Sequence, residues 1–455
     1  MENIETICAV STPSGEGGIG IVRLSGPDAH KVLKAIFRKA KGGGDITSRR
    51  MYLGHIVDPE HSEQIDEVFA VFMNAPLTYT REDIGEVYSH GGLAVQRRIL
   101  SVMIRCGARL AEPGEFTKRA FLNGRIDLAQ AEAVLDIIES ETDEELGHAI
   151  KSLEGVLSKK INGIRNQLRR ALVEVEALID FPEEEIDVDE KEVLAGVECA
   201  EKEIAALADS YYEGNAVKHG LEVLIVGRTN VGKSSLLNAL LARERAIVTP
   251  LPGTTRDMIE DTIHIMGIKV RIVDTAGFGL PRDIVEREGL ARVKRKIPEA
   301  DLILWVVDGS RPYSDEDREV CEEIGKRRKI VVINKTDLPR LLEIDIPPES
   351  PISGIEVSAL REEGIEALKT AIYEALMSKE RRANAILVTN LRHKDALSRA
   401  LTAARNAVSG LKRQEPAEFI AFDLRDAGQC LGEITGEAWT DDILHDIFSR
   451  FCIGK

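Results

Sequence analysis

The stretch Gly227-Arg-Thr-Asn-Val-Gly-Lys-Ser234 decides the fold of the middle of this chain. It fits the pattern G-x-x-x-x-G-K-[ST], follows the apolar run Leu221–Val226 and precedes the helical pattern Ser235–Leu241. Because strand, glycine loop and helix come in this order, the stretch predicts a P-loop, whose backbone N–H groups hold nucleotide phosphates at a helix N-terminus. Lys233 is expected to neutralise the β- and γ-phosphates, and Ser234 to bind Mg²⁺.

Four further motifs follow in the order expected of a GTP-binding domain. Thr254-Thr255 fits the switch threonine, and Asp274-Thr-Ala-Gly277 ends a predicted strand where Mg²⁺ and the γ-phosphate are contacted. Asn334-Lys-Thr-Asp337 offers a carboxylate for the N1 and N2 edge of guanine, which adenine lacks, and Ser358-Ala359 offers a backbone donor for the guanine oxygen. The residues predicted to bind GTP are Asn230, Val231, Gly232, Lys233, Ser234, Ser235, Thr249, Gly253, Thr254, Thr255, Asp274, Thr275, Ala276, Gly277, Asn334, Lys335, Asp337, Ser358 and Ala359.

One departure from the Ras-like pattern changes the expected mechanism. Phe278 stands after Gly277, where Ras-like GTPases carry the glutamine that orients the attacking water. A phenyl ring cannot orient water, so Glu286 is considered for that role, with a surface helix residue as the other interpretation. Asn230 in the loop is also unusual, because its amide oxygen can bind a monovalent cation beside the phosphates.

The composition is typical of a soluble, helix-rich protein of several domains. The chain has 455 residues, of which 43% are apolar, 30% charged and 4% aromatic. No apolar run approaches the ~18 residues that span a bilayer, and the N-terminus lacks the features of a signal peptide. Six cysteines without a CxxC pair predict reduced thiols, no zinc site and a cytoplasmic location.

The net charge of −17 argues against general affinity for nucleic acid, which needs clustered Lys and Arg. Two groups of basic residues remain open to two interpretations, as local basic faces or as solvated helix faces. They are Arg97, Arg98, Arg105 and Arg109, and Lys159, Lys160, Arg165, Arg169 and Arg170.

Hydrophobic patterning predicts a multidomain chain in four segments. Residues 1–118 mix strand and helix patterns, as in an α+β domain, and residues 119–216 look helical almost throughout. Residues 217–380 alternate strands and helices, as in an α/β domain, and residues 381–455 return to helix. The α/β P-loop domain is therefore predicted to be inserted into an all-α domain. Its predicted strands are Leu221–Val226, Ile268–Asp274, Leu302–Asp308, Ile330–Asn334 and Ile355–Val357.

A long helix is predicted before the insertion. Apolar residues from Leu153 to Ile179 recur at spacings of three and four, which places one apolar stripe along a helix that ends at Phe181-Pro182. The acidic run Glu183–Glu192 that follows is expected to be a solvated connection.

Four segments resemble the bacterial tRNA modification GTPases of the MnmE (TrmE) family. They are Thr12-Pro-Ser-Gly-Glu-Gly-Gly-Ile-Gly20, Pro113-Gly-Glu-Phe-Thr-Lys-Arg-Ala-Phe-Leu-Asn123, Gly253-Thr-Thr-Arg-Asp257 and Cys452-Ile-Gly-Lys455. The resemblance implies an N-terminal domain that binds a tetrahydrofolate and forms a homodimer, and a helical domain that carries the GTPase domain. It also implies joint action with the FAD protein MnmG, in a heterotetramer or larger assembly. Together they would add an aminomethyl-type (carboxymethylaminomethyl) group to C5 of the wobble uridine of certain tRNAs, using 5,10-methylenetetrahydrofolate.

The resemblance also implies roles for single residues. Ser234 and Thr255 correspond to Mg²⁺ ligands, and Glu286 to the catalytic glutamate. Potassium would be held where two GTPase domains meet, so that dimerisation activates hydrolysis. The residues that correspond to potassium ligands are Asn230, Thr249, Leu251 and Thr254.

Arg23, Glu82, Arg125 and Lys455 correspond to folate-binding positions, with arginine at 125 where some relatives have lysine. From the residues alone, these side chains also fit ordinary surface charge. Cys452 is either a catalytic thiol, activated beside Lys455, or a packing thiol that shapes the folate pocket.

Two other classes of GTPase are alternatives to this interpretation. A ribosome-assembly or translation switch would carry an RNA-binding module, and a self-assembling scaffold of the dynamin type would carry a membrane-binding or polymerising segment. Neither feature is evident in the sequence.

Overall fold

The computed structural model of the protein describes residues 5–13, 15, 17–41, 44–181, 189–241, 260–274, 296–343, 354–376 and 386–455. These divide into two compact units. The first comprises Met1–Glu139, Ala149–Glu203 and Ala396–Lys455, and the second Ser140–His148 and Ile204–Asp395. Within the described part of the chain, every helix is too short or too polar to cross a membrane.

The first unit begins with a seven-stranded sheet in the order β3-β4-β5-β6-β2-β1-β7, antiparallel except for β1 and β7. Its helices, α1 (Ala29–Ile36) and α2 (Leu93–Arg105), pack with one face of the sheet in a single core. Because side chains alternate along a strand, Val22 and Leu24 enter this core while Arg23 lies on the other face. The strands are β1 (Ile7–Val10), β2 (Gly20–Ser25), β3 (Phe37–Lys39), β4 (Met51–Val57), β5 (Gln64–Met73), β6 (Ile84–Ser89) and β7 (Arg109–Leu110).

Residues 115–209 are almost entirely helical, and the helical segment was predicted at residues 119–216. The helices are α3 (Glu115–Leu122), α4 (Leu128–Glu139), α5 (Asp143–Leu153), α6 (Val156–Asp180) and α7 (Glu190–Asp209). The predicted long helix is α6, which ends before Phe181 as expected but begins at Val156, because Gly155 has a left-handed backbone and Leu153 ends α5. The expected acidic connection is partly wrong, because Glu190–Glu192 form the first turn of α7, where acidic side chains complement the helix dipole. Residues 183–188 lie outside the described part.

The second unit contains the α/β fold predicted for residues 217–380, together with residues 140–148, 204–216 and 381–395. Its six-stranded sheet has the order β13-β12-β11-β8-β10-β9 and is parallel except for the β9–β10 hairpin. Every residue of the central strands is buried, as expected for strands covered on both faces. The strands are β8 (Leu221–Val226), β9 (Glu260–Ile265), β10 (Ile268–Asp274), β11 (Leu302–Asp308), β12 (Lys329–Asn334) and β13 (Ile355–Glu356). The helices are α8 (Tyr211–His219), α9 (Lys233–Leu241), α10 (Asp315–Ile324) and α11 (Ile365–Leu376).

Three more helices follow, α12 (Leu391–Arg413), α13 (Ala417–Thr435) and α14 (Asp441–Phe448). The α13 helix packs along α6, whose predicted apolar stripe is buried at Leu157, Ile161, Ile164 and Leu168. The first unit is therefore closed by segments that lie on both sides of the second unit in the sequence.

Candidate functional site

The P-loop joins β8 to α9, as the sequence predicts. A Cβ atom on Gly227 would lie 2.4 Å from the carbonyl oxygen of Val306, so the loop passes the neighbouring strand where only glycine fits. Lys233 is only 7% exposed, and its Nζ donates to the carbonyl oxygens of Gly227 (3.2 Å) and Arg228 (2.9 Å). The loop's own carbonyls thus hold the ammonium group inside the loop.

Asn334 joins three of the predicted nucleotide segments. Its Nδ2 donates to the carbonyl oxygen of Val231 in the loop (2.8 Å), and its Oδ1 accepts from the backbone N–H of Ala359 (3.0 Å). Gly232 has φ of 96°, and a Cβ there would lie 2.3 Å from Asn334 Nδ2. The structure therefore brings the loop, the Asn334–Asp337 segment and Ser358-Ala359 together.

The carboxylate predicted to recognise guanine is held by a buried serine. Ser358, which is fully buried, donates from Oγ to Asp337 Oδ1 at 2.7 Å. This hydrogen bond is the main cause that lowers the pKa of Asp337. An ionised carboxylate accepts two hydrogen bonds, so Asp337 is in the state that the guanine edge requires.

Lys335 ties the guanine segment to the P-loop. Its Nζ donates to the carbonyl oxygen of Asn230 (2.9 Å) and to Asp308 Oδ2 (2.7 Å). Asn230 has a left-handed backbone, with φ of 63°, so its carbonyl direction is set by an unusual conformation and a charged donor together.

A second cluster, the cationic pocket, lies on the face of the N-terminal sheet opposite α1 and α2. The guanidinium of Arg23 lies 5.7 Å from the ring centroid of Tyr79, and that of Arg125 lies 4.7 Å from the same centroid. Arg23 also lies 5.8 Å from the Phe116 ring and donates to Glu86 at 2.7 Å. Three of the four predicted folate residues, Arg23, Arg125 and Lys455, contribute positive charge here.

Residues 451–455 close the cationic pocket. Ile453 forms an antiparallel bridge with Pro113, and Ser11 Oγ donates to the carbonyl oxygen of Gly454 at 3.1 Å. Gly454 has φ of 98°, and a Cβ there would lie 2.2 Å from the carbonyl oxygen of Val10. Only glycine lets the tail approach β1 this closely.

Lys455, at the end of this segment, places a partly buried amine in the cationic pocket. Burial is the main cause that lowers the pKa of Lys455, and the Arg23 guanidinium lowers it further, while Glu86 opposes the shift. Burial and a hydrogen bond to Glu86 raise the pKa of Tyr88 to about 12, so its hydroxyl stays protonated as a donor to Glu86. Arg23, Arg125 and Lys455 bring three cations to the pocket, and Arg23 is paired with Glu86. A cluster of cations beside aromatic rings suits an anionic ligand.

Comparison with known proteins covers both units. A family model described as "MnmE helical domain" matches residues 128–452, and one described as "GTP-binding protein TrmE N-terminus" matches residues 6–125. A tRNA modification GTPase MnmE from Geobacter metallireducens is 47% identical over 458 residues, covering 99% of each chain. This chain belongs to the MnmE family. Another MnmE, from Natranaerobius thermophilus, is 44% identical over 455 residues, again with 99% of each chain covered.

A solved structure of Era with MgGDPNP and nucleotides of 16S ribosomal RNA matches 40% of this chain and 66% of that chain. It is 28% identical, and its TM-score of 0.28 is too low to add to the assignment.

Several predicted residues of the MnmE nucleotide site lie outside the described part of the chain. For Asp274 only the backbone is described, at the end of β10, where it pairs with Ile225 of β8. Ser234 and Ser235 are exposed at the start of α9. The predicted residues outside the described part are Thr249, Leu251, Gly253, Thr254, Thr255, Thr275, Ala276, Gly277 and Glu286.

Glu82 belongs to a neighbouring network of the N-terminal domain. It pairs with Arg119 at 3.0 Å and accepts from Ser25 Oγ at 2.7 Å. Arg119 also pairs with Glu115 at 2.9 Å. Arg119 was missed as a site residue, although it stands inside the family-like segment from Pro113 to Asn123. Cys452 has an exposed side chain, and its carbonyl oxygen accepts from the N–H of Lys455 at 3.3 Å.

Asp308 was also missed. It is 3% exposed and accepts from Ser310 Oγ at 2.6 Å as well as from Lys335. Burial opposes ionisation, but these hydrogen bonds outweigh it and lower the pKa of Asp308. The sequence did contain a signal, since Asp308 ends a buried strand next to the one that ends at Asn334, at the edge where α/β domains bind ligands.

Proposed function

We propose that this MnmE family member is a potassium-dependent GTPase that modifies the wobble uridine of tRNA together with MnmG. One observation carries the proposal: a single chain combines a nucleotide loop tied to guanine-type segments with an aromatic, cationic pocket closed by residues 451–455. A switch GTPase without group transfer has no use for the second feature. All six cysteines are free, which fits action in the reducing cytoplasm.

The second unit fits GTP with Mg²⁺. Asp337 offers an ionised carboxylate to the guanine edge, and Lys233 lies inside the loop that would receive the phosphates. The hydroxyl of Ser234 and the carboxylate of Asp274 are oxygen ligands of the kind that Mg²⁺ prefers, and we propose them, with Thr255, for the metal. Glu286 is proposed to orient the attacking water.

Potassium is proposed to lie at Asn230, with Thr249, Leu251 and Thr254 as further ligands. The left-handed backbone of Asn230, fixed by Lys335, supports a specific role for this residue. The ion would supply positive charge beside the phosphates, and contact between two GTPase domains across it would activate hydrolysis.

GTP hydrolysis is therefore expected to be much faster in KCl than in NaCl at equal ionic strength. The steady-state release of phosphate measures this, and Asn230→Ala should remove most of the difference between the salts. GTP affinity is measured separately, so that a loss of nucleotide binding is distinguished from a loss of the salt effect. Equal rates of the unaltered protein in both salts would contradict the potassium role.

The cationic pocket fits a folate. Tyr79 and Phe116 offer aromatic surface for flat rings, and Arg23, Arg125 and Lys455 offer cations for the glutamate carboxylates. We propose that methylenetetrahydrofolate, when bound, supplies the one-carbon unit. Glu82 would act at the edge of this pocket through Arg119. Cys452, in the segment 451–455 that also carries Lys455, is proposed as a catalytic thiol.

An exposed apolar face supports the proposed homodimer. Met51 is 52% exposed, Leu53 46% and Phe69 48%, and they lie on paired strands of one sheet face. Side chains of this size, exposed side by side, mark an interaction surface more often than free solvent. Arg23 of the cationic pocket lies on the same face of the sheet, so the dimer would form beside the folate site.

Nucleoside mass spectrometry of hypomodified tRNA tests the whole proposal. The tRNA is incubated with this protein, MnmG, GTP, Mg²⁺, K⁺, methylenetetrahydrofolate and an amine donor. A new C5-substituted wobble uridine that requires both proteins and GTP is expected. If GTP is consumed while the uridine stays unmodified, the chain is a GTPase switch, as in ribosome assembly, and the modification role is wrong.

A further inference from the structure

A polar groove of about 650 Å³ runs between α6 and α13. Arg165 and Arg169 line it from α6, and Arg425 lines it from α13. Asn162 and Asn166 add amide groups on the same side as the two α6 arginines. In a chain with a net charge of −17, this cavity is lined by three arginines and one carboxylate, Glu437.

Two of these arginines are held in place before any ligand binds. Arg165 donates from Nε to the carbonyl oxygen of Gly428 at 3.1 Å and pairs with Glu437. Arg425 donates to Glu176 from Nε (3.0 Å) and from an Nη atom (2.6 Å). Because a guanidinium has five N–H donors, these contacts leave donors on both side chains for a ligand. Little rotamer entropy remains to be lost when the ligand binds.

Arg169 is the uncommitted charge of the groove. Its side chain is exposed, one helical turn from Arg165, and it forms no ion pair or hydrogen bond with the residues that the structure describes. The two α6 arginines are about 6 Å apart along the helix axis. Burying an unpaired arginine against an anion costs no existing contact.

We propose that this groove binds the sugar–phosphate backbone of tRNA. The proposal rests on the proposed function in tRNA modification and adds a place where the substrate docks. Arginine and amide side chains are the groups that contact phosphate and sugar in protein–nucleic acid complexes. A protein partner would instead favour an apolar core rich in aromatic side chains. The lining of the groove includes leucines but no aromatic residue, and its arginines and asparagines favour a phosphate ligand. Phosphate contacts of this kind position the tRNA and do not read its sequence.

A matched pair of variants tests the groove. Arg169→Gln removes the uncommitted charge, while Arg170→Gln removes the same charge from the next residue, which is also exposed but does not line the groove. Binding of fluorescently labelled tRNA to the full chain is measured by anisotropy over a series of KCl concentrations. Arg169→Gln should weaken binding severalfold and reduce the slope of log K against log [salt] by about one. Arg170→Gln should change neither quantity, and Arg169→Lys should restore most of the binding.

Three outcomes overturn the proposal. The first is that Arg169→Gln binds tRNA like the unaltered chain. The second is that both glutamine variants lose the same affinity, as a general effect of charge would predict. The third is that Arg169→Gln keeps tRNA binding and loses MnmG binding, which would make the groove a protein-docking surface. GTP hydrolysis without tRNA should be unchanged in both variants, which checks their folding. If the unaltered chain modifies tRNA but Arg169→Gln binds it normally, the groove alone is wrong. If the unaltered chain neither binds nor modifies tRNA, both proposals are wrong.

Discussion

At the scale of single residues, Asp308 has the clearest unassigned role in the nucleotide site. It holds Lys335, which in turn holds the carbonyl of Asn230, so one buried carboxylate links the guanine segment to the P-loop. Because of this link, a substitution at Asp308, which lies outside the P-loop, is expected to change how tightly the loop binds the phosphates of GTP.

Asp308→Asn should therefore lower GTP affinity by roughly tenfold or more, because hydrogen bonds between charged groups contribute about 1.5–3 kcal/mol. Titration calorimetry with GTP measures the effect. Asp315→Asn, an exposed aspartate in the first turn of α10, is the control and should bind normally. Unchanged affinity in a folded Asp308→Asn variant would show that Lys335 needs no carboxylate partner.

Lys455 predicts a pH dependence of stability. Burial and Arg23 lower its folded-state pKa below the ordinary value of about 10.4. Below the folded pKa the amine is charged in both states and its burial destabilises the fold. Between the two pKa values only the unfolded chain binds the proton, so stability rises with pH.

Lys455→Met is thus expected to raise the midpoint of thermal unfolding near neutral pH, and this gain should shrink as the pH rises toward the ordinary lysine pKa. Differential scanning fluorimetry across the pH range follows it. Lys159→Met, at an exposed position on α6, controls for loss of a surface lysine. A gain that stays constant with pH would contradict the charge argument.

At the scale of elements, residues 451–455 act as a closing segment of the N-terminal domain. Gly454→Ala places a Cβ against the carbonyl of Val10 and forces a side chain into a left-handed backbone, which costs about 1–2 kcal/mol before the clash is counted. The tail should detach from β1. Hydrogen–deuterium exchange of the tail amides should then become faster, whereas Gly163→Ala, with open space around its Cβ, should leave it unchanged. Slow exchange in both variants would mean that the tail tolerates a Cβ.

How far the sequence predicts these elements depends on what each strand buries. The bounds of β8, β10 and β11 agree with the prediction. In β8 and β11 the reason is that strands covered on both faces are continuous apolar runs. In β10 apolar residues alternate with Lys269 and Arg271, which is the pattern of a strand with one more exposed face. Neither β4 nor β9 was predicted. The first is interrupted by Gly54 and exposes Met51 and Leu53, and the second begins with the acidic pair Glu260-Asp261.

The two sites also differ in how far the sequence alone predicts them. A local motif such as the P-loop can be predicted, since its chemistry lies in consecutive residues. The cationic pocket cannot be worked out from spacing, because Arg23 and Lys455 come from opposite ends of the chain and meet only in the folded unit. Glu86 was not predicted at all, since only the pairing of β2 with β6 sets it opposite Arg23.

At the scale of the whole molecule, the apolar face of the N-terminal sheet predicts the oligomeric state. Phe69→Asp puts a charge at the centre of that face and should convert a dimer to a monomer. Light scattering coupled to size-exclusion chromatography gives the mass directly. Phe422→Asp is the control, since Phe422 is similarly exposed (67%) but lies on α13. Dimers of Phe69→Asp would place the contact elsewhere.

The packing of α6 against α13 also has a consequence for how the protein is made. Arg165 and Gly428, which touch across the two helices, are 263 residues apart in the sequence. At about 5–20 residues per second, a ribosome needs roughly 13 to 50 seconds to extend the chain from one to the other. During that interval the apolar stripe of α6 lacks its α13 partner, while the whole nucleotide-binding unit emerges and can fold. The nascent chain therefore carries an incompletely covered hydrophobic helix for much of its synthesis, and it offers a chaperone a defined place and time to bind.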